Sequence, residues 1–217
     1  GLMALITVTA KDHGGGGKTR IEMWDGKAWV PQTDWISEFT DVVWDAVKKS
    51  SSKYQQQKTN KNSGKNRLRL PRAPKTDQAV RLSSMGGMAQ AAQDLAMYTN
   101  DNGGIGGHPV EIIVRDHGNE PQRGVECYEQ LRREGVFIFN FLSTPVTNAV
   151  LPRAMEDGNI LMQSFVGRGD AVDGEVFDWV FPVGPTYWQQ AANDVAFIRG
   201  QMGGDLSNAT IGFVYLD

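Results

Sequence analysis

The feature that most constrains the fold is a glycine cluster, Gly103, Gly104, Gly106 and Gly107 around Ile105, set between a helical pattern and an apolar run. Glycine reaches the positive-φ conformations that end a helix and turn the chain sharply. Before the cluster, the alanine-rich stretch 90–99 reads as helix. After it, Val110, Ile112, Ile113 and Val114 form a run of strand length that Asp116 closes. Asn119 or Glu120 then suits the cap of a helix with Pro121 in its first turn. That helix carries Val125, Tyr128 and Leu131 on one face, stops at Gly135, and is followed by an apolar strand pattern over 136–141. Helix, strand, helix, strand with short connections is the alternation of a parallel α/β sheet.

The same alternation continues to the end of the chain. A helix is predicted from Pro145, with Thr144 as its hydroxyl cap and Pro152 as a kink. A strand over 160–163, a short strand over 178–182, a helix over 186–201 and a last strand over 209–216 complete the set. Upstream, residues 3–9 alternate as a strand does, and Asp25-Gly26 marks the turn of a hairpin. Phe39, Val42, Val43 and Val47 then give an amphipathic helix that fades into a polar stretch. Pro71 and Pro74 forbid continued helix, and 78–82 is at best a very short strand.

Charge is laid out unevenly. Between 46 and 76 there is no acidic residue and there are ten basic ones, which leaves 12 basic against 25 acidic residues elsewhere. Such a segment suits either a nucleic-acid arm or a solvated linker. The linker is the better reading, because 50–64 is nearly free of apolar residues and Tyr54 alone offers a stacking face. Forty per cent hydrophobic and 22% charged residues are ordinary for a globular protein, and no run of eighteen apolar residues is present to span a membrane. The first residues lack the basic start and small-residue cleavage pattern of a signal peptide. Cys127 is the single cysteine, so no intrachain disulfide forms, and its helical neighbours Val125 and Leu131 suggest a packed thiol.

Several chemistries are poorly supported. Gly17-Lys18-Thr19 ends like a phosphate-binding loop, but the glycine required five residues earlier is Asp12, and a hairpin rather than a helix follows. The glycines from 13 to 18 are expected to form a mobile loop. The cluster at 103–107 is no dinucleotide fingerprint, since its third glycine position is Pro109. His13, His108 and His117 sit in separate loops without ligand spacing, and neither Ser143 nor Ser164 has the flanking glycines of a nucleophile elbow. No metal, cofactor or catalytic residue is therefore expected, and the chain does not read as an enzyme. Ligands of open α/β sheets lie beyond the carboxyl ends of the strands. Two such ends carry suitable groups: Ser143 and Thr144 at a helix start, and Gln163 to Arg168 after the next strand. They would suit an anionic or zwitterionic small molecule; equally, Thr144 is a mere cap and Arg168 a surface charge.

The stretch from Gly87 to Tyr98, the turn Asn102-Gly-Gly-Ile-Gly-Gly with the strand ending at Asp116, and the run from Phe181 to Gln190 resemble one family. It is the type 1 periplasmic solute-binding proteins of ABC transporters, the leucine/isoleucine/valine-binding group. The resemblance covers 86–217 and matches the amino-terminal lobe; residues 4–49 resemble the carboxyl-terminal segment of the same family. It implies three parts: 1–49 as a tail segment with strand, hairpin and helix, 50–76 as a disordered basic linker, and 77–217 as a three-layer, parallel-sheet lobe. The order is inverted and most of the second lobe is missing, as after a fusion across neighbouring genes or a deliberate permutation. The resemblance further implies an extracytoplasmic binder of branched-chain or related small amino acids or amides, working with an ABC permease, without nucleic acid or membrane insertion. Its ligand contacts map to Ser143 and Thr144, and to Val166, Gly167 and Arg168. Binding is expected to be weak without the second lobe. A regulatory or receptor ligand-sensing lobe of the same topology is the alternative.

Overall fold

The computed structural model describes residues 4, 6–61, 75–78, 86–163 and 168–212. Two strands, β1 (Glu22–Trp24) and β2 (Trp29–Pro31), form the hairpin around the Asp25-Gly26 turn. Helix α1 (Thr40–Lys61) follows. Then come β3 (Lys75–Gln78), α2 (Gly86–Asp101), β4 (Glu111–Ile113), α3 (Pro121–Glu134), β5 (Ile138–Asn140), α4 (Thr144–Asp157), β6 (Ile160–Met162), β7 (Val180–Phe181) and α5 (Tyr187–Gln201). A single 3-10 turn, Gly169–Val172, lies between β6 and β7.

Strands β3 to β7 make a five-stranded sheet in the order β4-β3-β5-β6-β7, and every pairing is parallel. From β3 the chain first steps to one side, to β4, then crosses back over β3 to β5 and continues outward. Right-handed crossovers therefore set α2 on one face and α3 and α4 on the other. The main core lies on the α3/α4 face. Phe139 and Leu161 from the sheet, Tyr128 and Leu131 from α3, and Val146 and Leu151 from α4 are all fully buried. Gly124 brings the two helices together, because a Cβ there would overlap the Val146 side chain. At the far end of this layer the Tyr128 hydroxyl donates to Asp157 Oδ2 (2.7 Å) and accepts from Asn159 Nδ2 (2.8 Å).

The first part of the chain is stitched to this lobe. Residues 11–13 run antiparallel to 172–174, with His13 N–H donating to the Val172 carbonyl and Gly174 N–H to that of Lys11. The His13 ring is buried, stacks on Phe181 at 4.3 Å, and bonds the Val180 carbonyl through Nδ1 (2.8 Å), which requires the proton on that nitrogen. Asn193 of α5, 1% exposed, is the second stitch. Its amide donates to Thr19 Oγ1 (2.7 Å) and to the carbonyls of Gly17 and Ile36, while its oxygen accepts from Glu38 N–H (2.7 Å).

Helix α1 is the third. Val43 and Val47 pack on Val172, and further along the same helical face Ser50 bonds Asp170, Ser51 bonds Asp173, and Tyr54 stacks on Phe177 at 4.8 Å. The spacing 43, 47, 50/51, 54 keeps all of them on one side of a 3.6-residue helix.

Four expectations change. Helix α1 continues to Lys61, so the first part of the stretch read as a disordered linker is helix, held by its serines and Tyr54 rather than by an apolar stripe. Residues 62–74 lie outside the described residues. A strand forms at Lys75–Gln78 and is second in the sheet, between β4 and β5, while 79–82 lie outside the described residues. Residues 6–9 are not strand but bond to the glycine loop, whose Gly14, Gly15 and Gly17 are buried. A Cβ at Gly14 or Gly15 would overlap Val172 or Ile6, and Gly15 also holds φ +72°. Residues 209–212 form no strand, and the rest of the last predicted strand lies outside the described residues.

Two outcomes are expected. Asn193→Leu should lower unfolding free energy by about 3 kcal/mol in urea titration, since it strands several buried polar groups. Burial, with the bond to Asp157 second, raises the Tyr128 pKa above its ordinary value. The unfolded tyrosine ionises near pH 10 while the folded one stays neutral, so stability present below pH 10 falls above it. Tyr128→Phe should flatten that alkaline decline.

Candidate functional site

The order β4-β3-β5 places the topological switch point between β3 and β5, and ligand crevices of open sheets lie outside the carboxyl ends of such a pair. Two loops meet there. One follows β4 and contains His117 and Asn119; the other follows β5 and runs through Phe141, Leu142 and Ser143 into α4.

The loops are fastened by hydrogen bonds from buried groups. His117, 2% exposed, bonds the Phe141 carbonyl through Nε2 (3.0 Å) and accepts Asn119 N–H on Nδ1 (3.0 Å). A carbonyl only accepts, so the proton is on Nε2 and the ring is neutral. Asn119, at φ +61°, accepts the Ser143 hydroxyl on Oδ1 at 2.6 Å. Asn140 Oδ1 accepts Leu142 N–H (3.1 Å). Between these ties Leu142 is held at φ +47°, a left-handed conformation that is costly for a leucine and persists where surroundings enforce it.

The turn at Leu142 sets which hydroxyl caps α4. Ser143, not Thr144, is the N-cap: its Oγ accepts Val146 N–H (3.4 Å) while donating to Asn119. Thr144 is the first helical residue and is partly exposed, and among the described residues its hydroxyl has no hydrogen-bond partner. Pro145 has no N–H to offer, so the exposed polar face of this helix start is Thr144. A helix N-terminus with a free hydroxyl favours an anionic or carbonyl oxygen.

The other expected contacts divide. Val166 and Gly167 lie outside the described residues. The Arg168 guanidinium is committed elsewhere: Nε and Nη2 bond the two oxygens of Asp170 (2.5 and 2.8 Å), and the plane lies over Tyr54 and Phe177. The bond to Asp170 raises the Arg168 pKa against the opposing effect of burial. This arginine is neither a free surface charge nor a cation presented by its side chain to the crevice. It clamps α1 to the 3-10 turn. Sequence reasoning missed the roles of His117 and Asn119, because each depends on a partner more than twenty residues away.

A family model described as periplasmic binding protein matches residues 77–217. The chain belongs to that family. Among solved structures it is similar to a protein of the Pseudomonas fluorescens group titled an ABC transporter permease, at 28% identity and a TM-score of 0.53, over 61% of this chain and 34% of that one. A fatty acid ABC transporter substrate-binding protein from Thermomonospora curvata matches at 26% identity and a TM-score of 0.45, over 63% and 33% of the two chains. A branched-chain amino acid transporter substrate-binding protein from Streptococcus pneumoniae, in complex with isoleucine, matches at 20% and 0.45, over 53% and 34%. The chain thus spans about a third of the length of these proteins. No curated protein matches it. The parallel sheet with helices on both faces is that of an incomplete lobe of this fold, and among the described residues no helix is long and apolar enough to cross a membrane.

Ser143→Ala removes a cap and the tie to Asn119 together. It should cost about 1–2 kcal/mol in urea unfolding, more than an exposed threonine such as Thr144 would when changed to alanine.

Proposed function

We propose that this chain carries the amino-terminal half of a solute site of the ABC-importer type, taking branched-chain or related small amino acids or amides outside the cytoplasm. The observation that carries the reading is the Thr144 hydroxyl, without a partner among the described residues, at the start of α4 beside the switch point of a periplasmic-binding-protein sheet. Thr144 contacts the ligand, and Ser143 holds the turn that presents it. The family resemblance adds Val166, Gly167 and Arg168 as further expected ligand contacts. Residues 1–49 are then the tail segment of the same fold, 77–217 the lobe, and the join between them narrows to 62–74. In a complete protein a second lobe closes over the ligand and the closed form docks on a permease. The match to the periplasmic binding protein family supports binding rather than catalysis as the function.

Affinity should be low, because one lobe supplies only part of the contacts and little exclusion of water. A ligand that binds only the folded chain stabilises it by about 2.7 kcal/mol at a hundredfold excess over Kd. Thermal unfolding with millimolar amino acids and small amides should show a cooperative melt that one compound class raises. Thr144→Ala should weaken that response up to about tenfold while leaving the unliganded melt nearly unchanged. A melt that no compound moves in the wild-type chain would sink the reading.

A further inference from the structure

The hydrogen-bonded latch over the start of α4 turns on one buried ring. Through Nε2 the His117 imidazole donates to the Phe141 carbonyl (3.0 Å), and on Nδ1 it accepts the Asn119 N–H (3.0 Å). Asn119 in turn accepts the Ser143 hydroxyl on Oδ1 (2.6 Å), and Ser143 Oγ caps α4. Ring, asparagine and serine thus form one chain of bonds that ends beside Thr144, with Leu142 held at φ +47° between them. That chain runs with one polarity. An imidazolium carries N–H on both nitrogens and accepts on neither. A second proton, on Nδ1, would face the Asn119 N–H donor against donor, and the bond between them would be lost. The ring is 2% exposed, so the proton is taken up from solvent as the loop opens.

Charged groups reach this corner from the loop, from α3 and from β3. Asp116 Oδ1 accepts Gly118 N–H, Glu120 donates its N–H to the His117 carbonyl, and Arg123 bonds the Asp116 carbonyl. All three residues are exposed, and screening weakens their influence on the ring. Strand β3 adds Asp77, in register with Ile113 and Phe139, and α4 has no charged residue before Arg153. What requires a neutral ring is the pair of main-chain bonds, one donated and one accepted. We propose that His117 is a positioning residue that makes the solute site proton-sensitive: the neutral ring holds the Ser143 turn that presents Thr144, and the imidazolium releases it. The inference rests on the solute-site reading above and adds its regulation. An open, hydrated histidine takes up a proton near pH 6.5, so going from about pH 8 to about pH 5 lowers the closed-to-open ratio by up to about thirtyfold. Apparent affinity falls with the closed fraction.

The test joins ring-nitrogen NMR of the unliganded chain, between about pH 8 and about pH 5, with thermal unfolding in leucine, isoleucine or glutamine, which stay zwitterionic over that range. The His117 ring should show the Nε2–H tautomer at the upper pH and become charged on acidification, with the Asn119, Leu142 and Thr144 amide signals moving in step. The response to an active probe should weaken by about fivefold or more at the lower pH. His117→Asn keeps an acceptor near the Nδ1 position and does not titrate, so its amide signals and probe response should no longer vary with pH. A ring that stays neutral, a ring that charges without those amides moving, or the same pH-dependent movement in His117→Asn would overturn the inference. A wild-type probe response equal at both pH values would also overturn it, while leaving the solute site standing. No probe response at any pH would remove the solute-site reading and the inference with it. Should His117→Asn melt without a transition, Asn119→Gly, which suits φ +61° and removes the tie to Ser143, takes its place. There the ring should still titrate while the Thr144 amide ceases to follow it; a Thr144 amide that still follows would overturn the inference.

Discussion

The structure depends on burying two carboxylates, Asp170 and Asp173, between the lobe and α1. Both are nearly inaccessible to solvent, and an ionised carboxylate out of water is tolerated only when paired and hydrogen-bonded. Asp173 accepts from Ser51 Oγ (2.6 Å) and Lys48 Nζ (2.8 Å), and Asp170 from Ser50 and Arg168. Their partners come largely from α1, more than a hundred residues earlier. Docking α1 is therefore not an option the lobe can forgo without exposing or stranding those charges. With α1 fixed, Tyr54 covers Phe177 and Arg168 is drawn into the seam.

The same principle, polar groups fastened across sequence distance, shapes the strand ends. His117, Asn119 and Asn140 together hold Leu142 in a conformation that its own side chain disfavours, and the result decides which of two adjacent hydroxyls is spent as a cap. Strain here has a local consequence: Ser143 is consumed as the cap and Thr144 is not. Gln163 and Thr147 show the opposite situation, in which buried polar atoms have no partner among the described residues.

The first sixty residues contact the rest of the chain through β7, the 3-10 turn and α5, at the outer side of the strand order, while Phe139 of β5 and Leu161 of β6 lie in the main core. The switch point lies between β3 and β5, away from the seam. The Arg168 side chain is engaged by that seam and is not presented to the crevice.

The sequence by itself determined the alternation of helices and strands wherever local signals were strong. Helix α3 begins at Pro121 and stops at Gly135, in the left-handed conformation, because proline and glycine impose those limits without help from the rest of the chain. The hairpin at Asp25-Gly26 and the capping box of Thr186 with Gln189 are local in the same way. Ser143 and Thr144 were legible as a helix start at a strand end, but not which of them stays free. Only the tertiary structure decided that the polar run Lys75–Gln78 is an interior strand, since its place follows from ladders to β4 and β5 on either side. Only it decided that the basic stretch after Val47 is helix and that Arg168 belongs to Asp170. In each case the deciding energy is a hydrogen bond or ion pair to a residue distant in the chain, and no local pattern encodes such a partner.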